Sequence, residues 1–142
     1  LIIVESFQTP QRVSTEKQMK SWAMALVIAT GLMGAAGVAA GAAGAHSAGG
    51  GNLQTASLYL LVHAAAAAAI ALNIWRSMLF LASASLLAGG ATLFAGDLSL
   101  RTLAGTPLFP MAAPGGGMIM IAGWLLLAIS GAVHIGQKSS NP

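Results

Sequence analysis

Two pairs of side chains in this sequence sit four residues apart and could act together. Tyr59 and His63 share one helical face at that spacing. Asp97 and Arg101 do the same, acid first, which is the favourable order for a helical ion pair. His46 closes a glycine- and alanine-rich run over 31–46. If all five lie at one depth, two chemistries are open to them. They could handle a proton or the head group of a quinone or lipid, or they could hydrogen-bond one another and cap loop backbone. Two His and one Asp could also ligate a metal, but their spacing matches no zinc motif, and no metal is expected. His134 stands too far from them to join and suits a helix C-terminus instead.

Other chemistry lacks its residues. There is no H-E-x-x-H, no G-x-S-x-G and no pair of intramembrane carboxylates. Glu5 and Glu16 fall in the polar N-terminal part, so Asp97 is the one acid near the apolar spans. Proton pumps and carboxylate-driven transporters use more, and no inverted halves with broken helices are present. The chain has no cysteine, which removes disulfides and thiolate ligands. Neither catalysis nor a cofactor is expected.

The elements that position these residues follow from composition. The 142 residues are 56% hydrophobic and 6% charged, with a mean hydropathy of +0.80. Soluble domains carry roughly 25% charged residues. This chain cannot cover its surface with polar groups, so much of that surface faces lipid. Six Lys/Arg against three Asp/Glu are too few for a nucleic-acid footprint. Apolar runs predict spans at about 21–45, 57–75, 77–97 and 116–135, each near the ~20 residues that cross a bilayer. The expected fold is all-α, an integral membrane four-helix bundle. A polar extension over 1–20 precedes it and a polar tail over 137–142 follows.

Loops are expected at 47–55 and 104–117, both rich in turn residues. Asn52, Thr55 or Ser57 could cap the second helix, and Pro114 suits the first turn of the fourth. The connection after the second span is short, as in an antiparallel helical hairpin. Four spans place both termini on one side. Arg12, Lys17, Lys20, Arg76 and Lys138 fall on that side and only Arg101 on the other, so both termini are expected in the cytoplasm. Trp22 and Trp75 then mark the inner interface, while Trp124 near mid-membrane reads as a packing or lipid-facing residue. The five candidate site residues face the outer side.

The run over 31–46 has almost no side chains. Thr30, Gly34, Gly37, Gly41 and Gly44 recur at heptad-like spacing, and Gly37 with Gly41 forms a GxxxG pair. Small seams let helix backbones approach closely, where dispersion replaces the missing hydrophobic drive. A phosphate loop would need a following Lys and Ser/Thr, which are absent. Gly89, Gly96 and Gly123 offer further packing positions.

Four segments in order resemble a known family: "GLMGAAGVAAGAAGAH" at 31–46, "YLLVHAAAAAAIAL" at 59–72, "LLAGGATLFAGDLSLRTLAG" at 86–105 and "APGGGMIMIAGWLLLAI" at 113–129. Together they are similar to the transmembrane-protein-256-like family, also known as domain of unknown function 423. Gly34, Gly41, Gly44 and His46 match its first motif, Tyr59 and His63 the second, and Gly96 the third. Pro114, Gly115, Gly116, Gly123 and Trp124 match the fourth. The chain departs from the family pattern at Ala43, Asp97 and Ala113, so the resemblance carries no role for Asp97. It implies a small four-helix protein of bacterial inner membranes or mitochondria, and no activity.

The expectation is a non-catalytic accessory or assembly subunit of a larger membrane complex, respiratory or photosynthetic, in the bacterial inner membrane. Residues 1–18 would serve as a tether, with "LIIV" docking in a partner's groove. The alternative is a stand-alone protein that handles a small ligand, a quinone, a lipid or a proton through His46, Tyr59, His63, Asp97 and Arg101.

Overall fold

Lipid offers no hydrogen bonds to backbone amides, so each long apolar run must close its bonds within itself as a helix. The computed structural model describes residues 10–47, 50–73 and 77–139. Among them are four α-helices: α1 (Pro10–His46), α2 (Gly51–Asn73), α3 (Met78–Leu103) and α4 (Ala112–Ser139). Each is long and apolar enough to cross a membrane. Residues 1–9, Trp75, Arg76 and the tail at 140–142 lie outside the described residues, as does the side chain of Lys138.

The helices are longer than their apolar runs. α1 begins at Pro10 rather than at 21, so the polar stretch is helical from there on. Gln, Arg, Glu, Lys and Met are good helix formers, and extending an existing helix avoids the cost of nucleation. Proline at the first position forfeits no intrahelical bond. α2 begins at Gly51, inside the expected loop. Asn52, Thr55 and Ser57 therefore lie within the helix, and Thr55 Oγ1 donates to Gly51 O at 2.9 Å instead of capping. α3 runs on to Leu103 and stops where Gly105 adopts φ +70°, a left-handed exit suited to glycine. α4 starts at Ala112 and absorbs Pro114 in its first turn, where the missing N–H has no helical acceptor.

The helices pack in chain order, α1 on α2, α2 on α3, α3 on α4, with a lesser approach of α1 to α3. Along α1, Ala23, Leu26, Thr30, Met33 and Gly37 are buried, three and four residues apart, and Gly44 follows seven residues on. Added Cβ atoms at Gly37, Gly41 and Gly44 would press on Leu61, Ser57 and Gln54 at 2.9, 2.8 and 3.0 Å. Gly34, expected in the same seam, has nothing within 4 Å, and Met33 fills that register. Gly89 and Gly96 also stand clear of any neighbour.

The close α3–α4 contact is made by other glycines. A Cβ at Gly116 would come 2.6 Å from Phe94 N, and one at Gly90 would come 2.8 Å from Gly116 O. Gly123 sits against Leu87 at 2.9 Å on the same measure. Bare backbone on both helices lets them meet directly. Ser83 Oγ, fully buried, donates to Gly123 O at 2.9 Å across this interface. Trp22 Nε1 donates to Ser85 Oγ at 3.1 Å and ties the start of α1 to the start of α3. The His134 ring meets Phe80 edge-on at 6.2 Å, so the end of α4 lies at that same end of the bundle.

Candidate functional site

The two spaced pairs become two separate constructions. Tyr59 and His63, one turn apart on α2, stack with ring centroids 5.7 Å apart and planes within 6°. His63 is buried, and its Nδ1 lies 2.8 Å from Tyr59 O. Its Nε2 accepts the indole N–H of Trp124 on α4 at 3.2 Å. An indole nitrogen can only donate, so Nε2 must be the acceptor and Nδ1 carries the proton to Tyr59 O. Phe94 of α3 completes the group, its ring 4.6 Å from Tyr59. Beside it is a shallow depression of about 200 Å³ lined by Leu58, Tyr59, Val62 and His63.

Asp97 of α3 has no solvent exposure and serves the loop that follows the helix. Its Oδ2 accepts Arg101 Nε at 2.7 Å, and its Oδ1 accepts the Leu108 backbone N–H at 2.7 Å. Placed in the last two turns of α3, this carboxylate gathers two donors and holds the loop at Leu108 back onto the helix that precedes it. Arg101 remains 44% exposed at its side chain, so the pair is half open.

His46 ends α1 in an exposed position and joins neither group. The five residues expected to meet therefore do not form one cluster. Equal depth does not imply a shared face: Tyr59 meets Phe94 of α3 and His63 meets Trp124 of α4, while Asp97 is taken up by the following loop. Trp124, read from depth as packing or lipid-facing, is the donor to His63 while still 42% exposed. Its signal was available, because an indole N–H in hydrocarbon needs an acceptor and His63 offers one on another helix.

A family model described as Protein of unknown function (DUF423) matches residues 40–117. The chain belongs to this family. The DUF423 segment takes in the end of α1, all of α2 and α3, and the first turns of α4. It contains Tyr59, His63, Asp97 and Arg101, together with the Gly90–Gly116 approach, and stops short of Trp124. The His63–Trp124 bond thus reaches from the DUF423 segment to a residue outside it. No solved structure matches the chain.

A third feature is an open apolar groove of about 950 Å³ between α1 and α3, floored by Leu60 of α2. Gly89 and Gly96, free of helix contacts, line its α3 wall. Ser85 and Thr92 lie on the same wall, but their hydroxyls donate to Leu81 O and Ala88 O at 2.8 Å each, so they add no free polar group.

Proposed function

We propose that this DUF423 protein is a non-catalytic accessory subunit of a larger membrane complex, respiratory or photosynthetic, in a bacterial cytoplasmic membrane. The observation that carries the reading is the engagement of its intramembrane polar groups. Both ring nitrogens of His63 and both carboxylate oxygens of Asp97 are spent inside the protein. Groups held in this way fix helices and a loop, as a structural subunit requires. The exposed basic residues Arg12, Lys17 and Lys20 at the start of α1 support an orientation with the N-terminus in the cytoplasm.

The test is purification of the protein from its own membrane in mild detergent, followed by mass spectrometry of what accompanies it. A stoichiometric large complex is expected. A solitary monomer or homo-oligomer overturns the reading.

A further inference from the structure

The loop between α3 and α4 shows large apolar side chains at its surface. Leu108, Phe109 and Met111 are 46%, 48% and 70% exposed. Two measures give their depth. The apolar part of α3, over 78–96, spans about 28 Å at 1.5 Å per residue, close to the ~30 Å of hydrocarbon in a bilayer. Asp97 then stands at the hydrocarbon boundary. On α4, Gly116 lies against Gly90 and Phe94 of the antiparallel α3. Ala112, one turn earlier, is therefore level with the end of that apolar run, and Met111 enters α4 at the same boundary.

Asp97 also decides what is offered there. Its carboxylate accepts Arg101 Nε and the Leu108 N–H at 2.7 Å each, so these two groups are no more than about 8 Å apart. Asp97 itself is fully buried with both oxygens engaged, whereas the Arg101 side chain is 44% exposed. The terminal nitrogens of Arg101 have no partner among the described residues. Thr102, the next residue, turns its hydroxyl back to Leu98 O at 3.1 Å. The exposed surface is thus a guanidinium fork beside Leu108 and Phe109.

We propose that this surface is a binding site for the phosphodiester group of a membrane phospholipid. The terminal nitrogens of Arg101 donate to the phosphate oxygens, and Leu108, Phe109 and Met111 rest on the top of the acyl chains. Depth selects this occupant. The layer next to the hydrocarbon boundary is the phosphate layer, and a planar guanidinium meets a phosphate with two parallel bonds. A free anion would use the fork and leave the three apolar side chains uncovered. A phospholipid covers both. Asp97 is the positioning residue: it fixes the guanidinium through Nε and keeps Leu108 from rising into water. The site rests on the four membrane spans and not on the accessory role, so it serves a solitary protein equally.

The test uses the full chain labelled with heavy-nitrogen arginine, in phosphatidylcholine bilayers and phosphate-free buffer. In rotational-echo solid-state NMR, lipid phosphorus dephases a guanidinium nitrogen that is in hydrogen-bonding contact with it. The chain has two other arginines, Arg12 and Arg76, so the Arg101 share is the part lost in Arg101→Gln. That share should be present, and its absence overturns the site. The same dephasing in phosphorus-free detergent with inorganic phosphate assigns the fork to a free anion and overturns the lipid. A second measurement leaves the Asp97–Arg101 pair untouched. The chain has no cysteine, so Phe109→Cys takes a single fluorescent label. A nitroxide near the head of the acyl chain should quench that label, and aqueous iodide should not. Quenching by iodide alone overturns the seating of the loop in lipid and leaves its apolar face to a protein.

Discussion

Trp124 Nε1 reaches His63 Nε2 at 3.2 Å across a gap that the backbones do not close: among the described residues no Cα of α2 lies within 8 Å of one in α4. Among the described residues one hydrogen bond, with the ring contact that accompanies it, joins α2 to α4.

That bond should be measurable as a coupling. Trp124→Phe keeps the ring and removes the donor, and His63→Phe removes the acceptor. In a double-mutant cycle on thermal unfolding in detergent, the coupling should be about 0.6–1.7 kcal/mol, the range for interhelical bonds in membrane proteins. A coupling near zero would mean that the contact contributes nothing to stability.

Asp97→Ala should loosen the loop and leave the helices. It leaves the Leu108 N–H without its acceptor and Arg101 without its partner. Limited proteolysis should cut faster within 104–111, while helical circular dichroism stays at the wild-type level. Asp97→Asn keeps an oxygen for Leu108 and should fall between the two. Equal cutting of all three proteins would sink the assignment.

Glycines that look alike should behave oppositely. Gly116→Ala sets a Cβ 2.6 Å from Phe94 N, a backbone atom that cannot step aside, and should cost about 1–3 kcal/mol as overpacking does. Gly96→Ala meets nothing and should gain up to about 1 kcal/mol from helix propensity. Melting temperatures of the two variants in one detergent decide the matter, and the reverse order would refute the α3–α4 packing.

Met111 adopts φ +69° immediately before α4, a left-handed conformation that costs non-glycine residues about 1–2 kcal/mol. Its carbonyl accepts the Gly115 N–H at 2.9 Å. Met111→Gly should therefore stabilise the protein by a similar amount in chemical denaturation. No gain would mean that residue 111 carries no strain in the membrane.

The helices were legible because their apolar runs are long and the charged residues within them are few. Their ends were less so. The polar stretch before Lys20 and the residues from Gly51 to Thr55 read as non-helical by composition, yet a helix already nucleated carries such residues along. The seam on α1 was legible in spacing but not in detail. Residues 33 and 34 differ by 100° around a helix, and a repeat that alternates three and four admits either. The choice fell to Met33 because its side chain fills the space that Gly34 would leave. On α3 and α4 the glycines come in runs, 89–90 and 115–117, and the crossing of the helices selects which member meets its partner. The sequence holds the candidates, and only the packing picks Gly90 and Gly116. The same holds for Asp97. Its spacing to Arg101 was readable, whereas its bond to Leu108 depends on where a proline-rich loop turns back.

The order of packing has a meaning for how the protein is made. Each helix packs more extensively on the one immediately before it than on any earlier one. A chain synthesised as far as Gly105 already holds every residue of the contacts among α1, α2 and α3. α4 then arrives last onto a finished surface, where two bare glycine backbones meet and an indole finds a histidine whose ring is already bonded to Tyr59. The order of synthesis thus matches the order of packing, and α3 gains its largest interface last, when α4 follows.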